Sequence, residues 1–114
     1  MKAPTRVLIV EDEAPIALAI CKTLEDRGYD VVIATSAEEA LDMPSADVLI
    51  CDLCLDSISG LDLLTCLQER GESPRTVFMT GMPTVEDCRR AMQLGASDFL
   101  TKPFRLDDLV RAVE

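Results

Sequence analysis

Five side chains of this sequence could act together chemically. Glu11 and Asp12 follow the apolar run Val7–Val10, and Asp52 follows Val48–Cys51. Thr80 closes Thr76–Thr80, and Lys102 closes Phe99–Lys102. Each stands at the C-terminal end of a short segment, rich in β-branched residues, that reads as a buried strand. In an open parallel sheet those ends share one edge, and ligands bind there. Carboxylates, a hydroxyl and an ammonium gathered at that edge are equipment for a divalent cation and a phosphoryl group.

Glu11, Asp12 and Asp52 repel one another if they meet. A like-charge pair at 4 Å costs about 4 kcal/mol at an effective dielectric near 20. Either one carboxyl keeps its proton or a cation sits among them. Lys102 alone neutralises one charge. Mg²⁺ accepts one or two carboxylates, keeps water and bridges to phosphate oxygens, which suits this set. The bland alternative for Glu11-Asp12-Glu13 is a solvated acidic turn. Asp52 shifts the balance because it ends a wholly apolar strand. The Lys102-Pro103 bond is a candidate cis peptide, which would decide where the ammonium points. Gly81, after Thr80, permits close backbone approach to a ligand.

These groups need a scaffold, and the chain alternates strand and helix five times. Strands are expected at Arg6–Val10, Val31–Ala34, Val48–Asp52, Thr76–Thr80 and Asp98–Thr101. Ile16, Ile20 and Leu24 share one helical face, so Pro15–Arg27 reads as a helix stopped by Gly28. Ser36 and Glu39 have capping-box spacing ahead of a helix over Ala37–Asp42. Further helices are expected at Leu61–Arg70, at Thr84–Leu94 with Gly95 beyond it, and from Leu106 to the last residue. Repeated βα units imply a parallel sheet covered on both faces, with right-handed crossovers. The expected fold is therefore α/β: a flavodoxin-like, doubly wound (βα)5 three-layer sandwich with strand order 2-1-3-4-5. Its switch point lies between the strands that end at Asp12 and Asp52.

The bulk numbers agree with one such domain. The chain has 114 residues, 48% of them hydrophobic and only 4% aromatic, so the core must be aliphatic. A net charge of −10 argues against a nucleic-acid surface and favours cations and basic partners. No stretch is apolar and long enough for a membrane span, and no signal peptide is expected. Five cysteines suggest reduced thiols in a cytoplasm. Cys51 and Cys54 form a C-x-x-C, but the chain has no histidine and no second pair, so this reads as coincidence rather than a zinc site.

The set Glu11-Asp12, Asp52, Thr80 and Lys102-Pro103 resembles the receiver domain of bacterial two-component response regulators. Gly60, the stretch Gly95–Phe99 and Phe104 stand in matching order, and the resemblance covers essentially the whole chain. It implies that Asp52 is the phosphoacceptor. It implies Mg²⁺ held by Asp12 and Asp52, by the backbone carbonyl of Cys54, and by Glu11 through water. Lys102 would pair with the phosphoryl group, Thr80 would donate to it, and Phe99 would be the aromatic switch. Thr80 and Phe99 would then reshape the face formed by the fourth helix, fifth strand and fifth helix. A sensor histidine kinase or phosphotransfer protein is the implied donor, and homodimerisation through that face is a further expectation. The chain reads as the N-terminal part of a larger regulator.

Asp56 stands where many such domains have Pro, and it reads as a solvated loop residue. Cys54 and Met82 would flank the path of attacking water; neither is a good base, so a long-lived phosphoryl group is expected. The main alternative is a small Mg²⁺-dependent phosphatase of the haloacid-dehalogenase type. That class needs a second Asp two positions after the nucleophile, where Cys54 stands, and a cap domain. A flavin or nucleotide binder lacks its glycine-rich motif here. A degenerate docking module is argued against by the intact acid–Thr–Lys set.

Overall fold

Every residue of Val48–Asp52 is buried, which is what a strand covered on both faces requires. This central strand is β3. Around it lie β1 (Arg6–Val10), β2 (Asp30–Ala34), β4 (Arg75–Thr80) and β5 (Asp98–Thr101). The helices between them are α1 (Ala14–Glu25), α2 (Ala37–Leu41), α3 (Gly60–Glu69), α4 (Val85–Gln93) and α5 (Leu106–Val113). The structure is a computed structural model, and it describes residues 3–114. All strand pairs are parallel, in the order β2-β1-β3-β4-β5. The fold is thus the flavodoxin-like α/β sandwich that the βα alternation implies.

Strand side chains alternate between faces, and this splits the core into two apolar layers. Leu8, Val10, Leu49, Cys51 and Phe78 pack with Leu61, Leu64 and Leu67 of α3. Val7, Ile9, Ile50, Val77 and Met79 pack with Ile20 and Leu24 of α1 and Leu109 and Val113 of α5. α4 is the exception. Ala91 is its one buried residue, and Val85 is 87% exposed. That helix is held to the sheet by little apolar burial.

About half of the element ends differ from expectation, by one or two residues, and the causes are local. Thr84 is the N-cap of α4, accepting from the Asp87 N–H at 3.0 Å, and Leu94 is its C-cap. α5 runs from Leu106 to Val113, and the Glu114 N–H still donates to the Val110 carbonyl at 3.0 Å, so the helical bonding reaches the last residue as expected. α1 begins at Ala14 and gives way to a turn after Glu25, closed by Gly28 at φ +91°. α3 begins one residue early, at Gly60, and ends at Glu69. α2 ends at Leu41. β2 and β4 each start one residue early, because Asp30 pairs with Arg6 and Arg75 with Val48. The capping box forms in altered shape. Ser36 accepts from the Glu39 N–H at 3.1 Å, but the Glu39 carboxylate reaches the Thr35 N–H, at 3.2 Å, rather than that of Ser36.

Candidate functional site

The parallel register brings the ends of β1, β3, β4 and β5 to one edge. After β1, the Glu11 N–H donates to the Ala34 carbonyl at 3.0 Å, so Glu11 is drawn inward and is fully buried. Asp12 and Glu13 are exposed. After β5, the Lys102 N–H donates to the Thr80 carbonyl at 2.7 Å, so the chain tracks β4 one residue further. The Lys102–Pro103 bond is cis.

Lys102 is the centre of the site. Its Nζ donates to Glu11 Oε1 at 2.5 Å and to Asp52 Oδ2 at 2.9 Å. One ammonium therefore serves two carboxyls that are almost wholly shielded from solvent. This leaves a surplus of negative charge, and the molecule resolves it at Glu11. Burial, reinforced by neighbouring Asp52, pushes the Glu11 carboxyl up to about 7 against the opposing pull of Lys102. Burial opposes charge on Lys102 as well, but its hydrogen bonds to Glu11 and Asp52 outweigh that and raise its pKa.

The remaining groups surround Asp52. Its Oδ1 accepts from the Cys54 N–H at 3.0 Å. Thr80 is buried, and its Oγ1 accepts from the Met82 N–H at 3.1 Å. The exposed Cys54 thiol lies 3.8 Å from that hydroxyl oxygen. Phe99 is half-buried on β5, against the α3 side of the core. Asp56 is an exposed loop residue, and Cys51 points into the core while Cys54 faces solvent, with both thiols free.

The donor set suits a hard divalent cation. Carboxylate oxygens of Glu11, Asp12 and Glu13 lie within 4.8 Å of one another. All are oxygen ligands, and Glu11 sits at the edge of ionisation, so a cation would relieve the charge surplus. Glu13 belongs to the acidic run Glu11-Asp12-Glu13 but not to the ligands that the resemblance implies. Consecutive acids after a buried strand carry no periodic signal, and only the turn brings Glu13 back, its N–H donating to Glu11 Oε2 at 3.3 Å. Asp52 joins the cluster through Lys102. Around Gly81, beyond its chain neighbours, a Cβ would meet nothing within 4 Å, so the backbone there faces open space. The crowded glycine is Gly60, where a Cβ would lie 2.6 Å from the Asp52 carbonyl oxygen.

Known proteins share this architecture. The family model described as response regulator receiver domain matches residues 7–114. The transcriptional regulatory protein TrcR of Mycobacterium tuberculosis is 35% identical over 111 residues, covering 95% of this chain and 43% of TrcR. The chain thus spans less than half the length of that relative. The signal receiver domain of a putative LuxO repressor protein from Vibrio parahaemolyticus superposes with a TM-score of 0.90 at 28% identity, covering 97% of this chain and 88% of that one. A response regulator from Burkholderia pseudomallei, solved with a phosphorylated aspartic acid, a calcium ion and citrate, gives 0.86 at 27% identity over 96% and 66% of the two chains. None of these relatives supports the phosphatase alternative. The chain belongs to the response regulator receiver domains of two-component signalling.

Proposed function

We propose that this domain accepts a phosphoryl group on Asp52. One observation carries the reading: a single ammonium, that of Lys102, bridges the strand-end carboxylate Asp52 and buried Glu11. An Asp52 oxygen attacks phosphorus, and the bond from phosphorus to the donor's imidazole nitrogen or acetyl oxygen breaks. A carboxylate is a weak nucleophile, so the step rests on positioning and charge neutralisation. Mg²⁺ is the proposed cofactor, held by Asp12, Asp52 and the Cys54 carbonyl with Glu11 acting through water; when bound it neutralises phosphoryl charge. The Burkholderia pseudomallei protein, solved with both a phosphorylated aspartic acid and a calcium ion, supports a role for a divalent cation.

Asp52, Thr80 and Lys102 carry the remaining roles. The Cys54 N–H steadies Asp52 Oδ1 and leaves the other oxygen to Lys102. The Lys102 ammonium meets the phosphoryl group as it arrives. The Thr80 hydroxyl accepts from the Met82 N–H, and its own proton, within reach of only the weak acceptor Cys54 Sγ at 3.8 Å, is the one offered to a phosphoryl oxygen. New acceptor oxygens on Asp52 favour the arrangement in which Thr80 and Lys102 reach them, and this difference in contacts can shift a conformational equilibrium. Phe99 and the sparsely buried α4 are the elements free to respond, which makes the α4-β5-α5 face the output surface. The donor is a histidine kinase or phosphotransfer protein in the cytoplasm. The chain matches 43% of TrcR, which supports reading it as the receiver part of a longer regulator; placing it at that regulator's N-terminal end, and homodimerisation through the same face, complete the proposal.

Mass spectrometry after incubation with Mg²⁺ and acetyl phosphate tests this. One hydroxylamine-labile phosphoryl group is expected, and Asp52→Asn abolishes it. Sustained phosphate release over many turnovers would instead point to a phosphatase.

A further inference from the structure

We propose that Gly60 is a positioning residue for the acidic site: its missing side chain lets the first turn of α3 seat against the Asp52 peptide and hold the end of β3 in register. The inference rests on the reading of Asp52 as phosphoacceptor.

Gly60 is the first residue of α3, and its φ is not positive, so backbone freedom does not explain a glycine there. Space does. A Cβ at Gly60 would lie 2.6 Å from the Asp52 carbonyl oxygen, 3.0 Å from Cys51 Sγ and 3.2 Å from Leu53 Cα. Two of those three atoms are backbone, which no rotamer change can move. The approach is also bonded. The Gly60 N–H donates to the Leu53 carbonyl at 3.1 Å, and the Cys51 thiol donates to the Asp52 carbonyl at 3.2 Å. From the opposite side, the Leu53 N–H donates to Met79 of β4 at 2.9 Å. The segment from Asp52 to Leu53 is therefore clamped between β4 and the N-terminal turn of α3.

That segment bears the chemistry. It carries the Asp52 carboxylate, and one residue on it carries the Cys54 N–H that fixes Asp52 Oδ1 and the Cys54 carbonyl proposed for the cation. A side chain at Gly60 must push the Asp52 peptide or lift α3 off the Leu53 carbonyl, and either frees the segment that carries two of the proposed cation ligands, Asp52 and the Cys54 carbonyl. The backbones of Thr80, on β4, and Lys102, after β5, are outside that segment. Loss of such supporting contacts typically costs about 10–100-fold in metal affinity or activity.

The test compares Gly60→Ala with Leu67→Ala, which removes buried packing further along the same helix without touching the Asp52 peptide. Mg²⁺ binding is read by calorimetry, the Cys54 amide by NMR, and phosphoryl uptake from acetyl phosphate by mass. Gly60→Ala is expected to shift the Cys54 amide and weaken Mg²⁺ binding about tenfold or more. Leu67→Ala, though destabilised, should bind Mg²⁺ as the unmodified domain does. Equal Mg²⁺ affinity in folded Gly60→Ala and the unmodified domain overturns the inference. If Gly60→Ala does not fold, Ser59→Ala decides. Ser59 caps α3 by accepting from the Asp62 N–H at 3.1 Å, and its loss loosens the turn that carries Gly60. Ser59→Ala should weaken Mg²⁺ binding measurably, whereas Ser36→Ala, the equivalent cap of α2, should not. No difference between those two caps sinks the proposal. Absence of phosphoryl uptake in the unmodified domain would instead refute the role of Asp52, and the Mg²⁺ measurements would still judge Gly60.

Discussion

Glu11 makes the cation-free domain sensitive to pH in an unusual direction. Its carboxyl sits at about 7 in the folded protein against an ordinary 4.5, chiefly through burial. The folded state therefore holds a proton that the unfolded state has released. Stability from this group is complete below about pH 4.5 and is lost as pH rises through about 7. Between pH 5 and pH 7.5 the loss is on the order of 2 kcal/mol, from about 1.4 kcal/mol per pH interval while the two states differ by one proton. The chain has no histidine, so no imidazole titrates in that window. Urea unfolding followed by circular dichroism, with a chelator present, should show the midpoint falling by roughly 1 M across the window, given m-values of about 1–3 kcal/mol/M. Glu11→Gln removes the titration and should flatten the profile. Saturating Mg²⁺ favours ionised Glu11 and should shrink the loss. A midpoint that rises with pH in the unmodified domain, or a Glu11→Gln profile as steep as the original, would show that Glu11 is not protonated there.

Other perturbations address the neighbouring groups. Lys102→Met leaves two shielded carboxyls without a cation, so it should abolish phosphoryl uptake and destabilise the domain more at pH 8 than at pH 5, where Glu11 can remain neutral; equal losses in denaturant titrations would contradict this. Thr80→Val removes the acceptor for the Met82 N–H and should cost about 1 kcal/mol. That variant should still gain the phosphoryl mass, while the Phe99 resonances cease to respond to it. Cys54 and Met82 offer attacking water no good base, so the acyl phosphate should persist well beyond seconds, and decay within seconds in phosphate-release assays would count against that reading. Leu109→Ala, in the fully buried layer between α5 and the sheet, should cost about 2–5 kcal/mol without altering Mg²⁺ affinity.

Much of the molecule was legible from the chain alone. Five short apolar runs separated by amphipathic stretches can bury themselves only as a parallel sheet covered on both faces, and strand ends in such a sheet must share an edge. That made Asp52, Thr80 and Lys102 neighbours in expectation, and it placed Glu11 and Asp12 beside them. Helix ends were less legible, because a residue such as Thr84 becomes a cap through backbone angles that no periodicity encodes. What only the tertiary structure decided were relations over long sequence separations. Lys102 and Glu11 stand 91 residues apart, and their 2.5 Å contact ties Glu11 to Asp52 through one ammonium, while burial, against the pull of that ammonium, raises the Glu11 carboxyl. Glu11 and Asp12 are adjacent acids with nothing in the sequence to rank them; the backbone bond to Ala34 turns one inward and leaves the other in water. Gly60 and Gly81 likewise look alike in the chain, and packing alone sets one against the Asp52 peptide while the other has open space. Pattern determines which surfaces must be covered, whereas distances between side chains are set by how the covered layers meet.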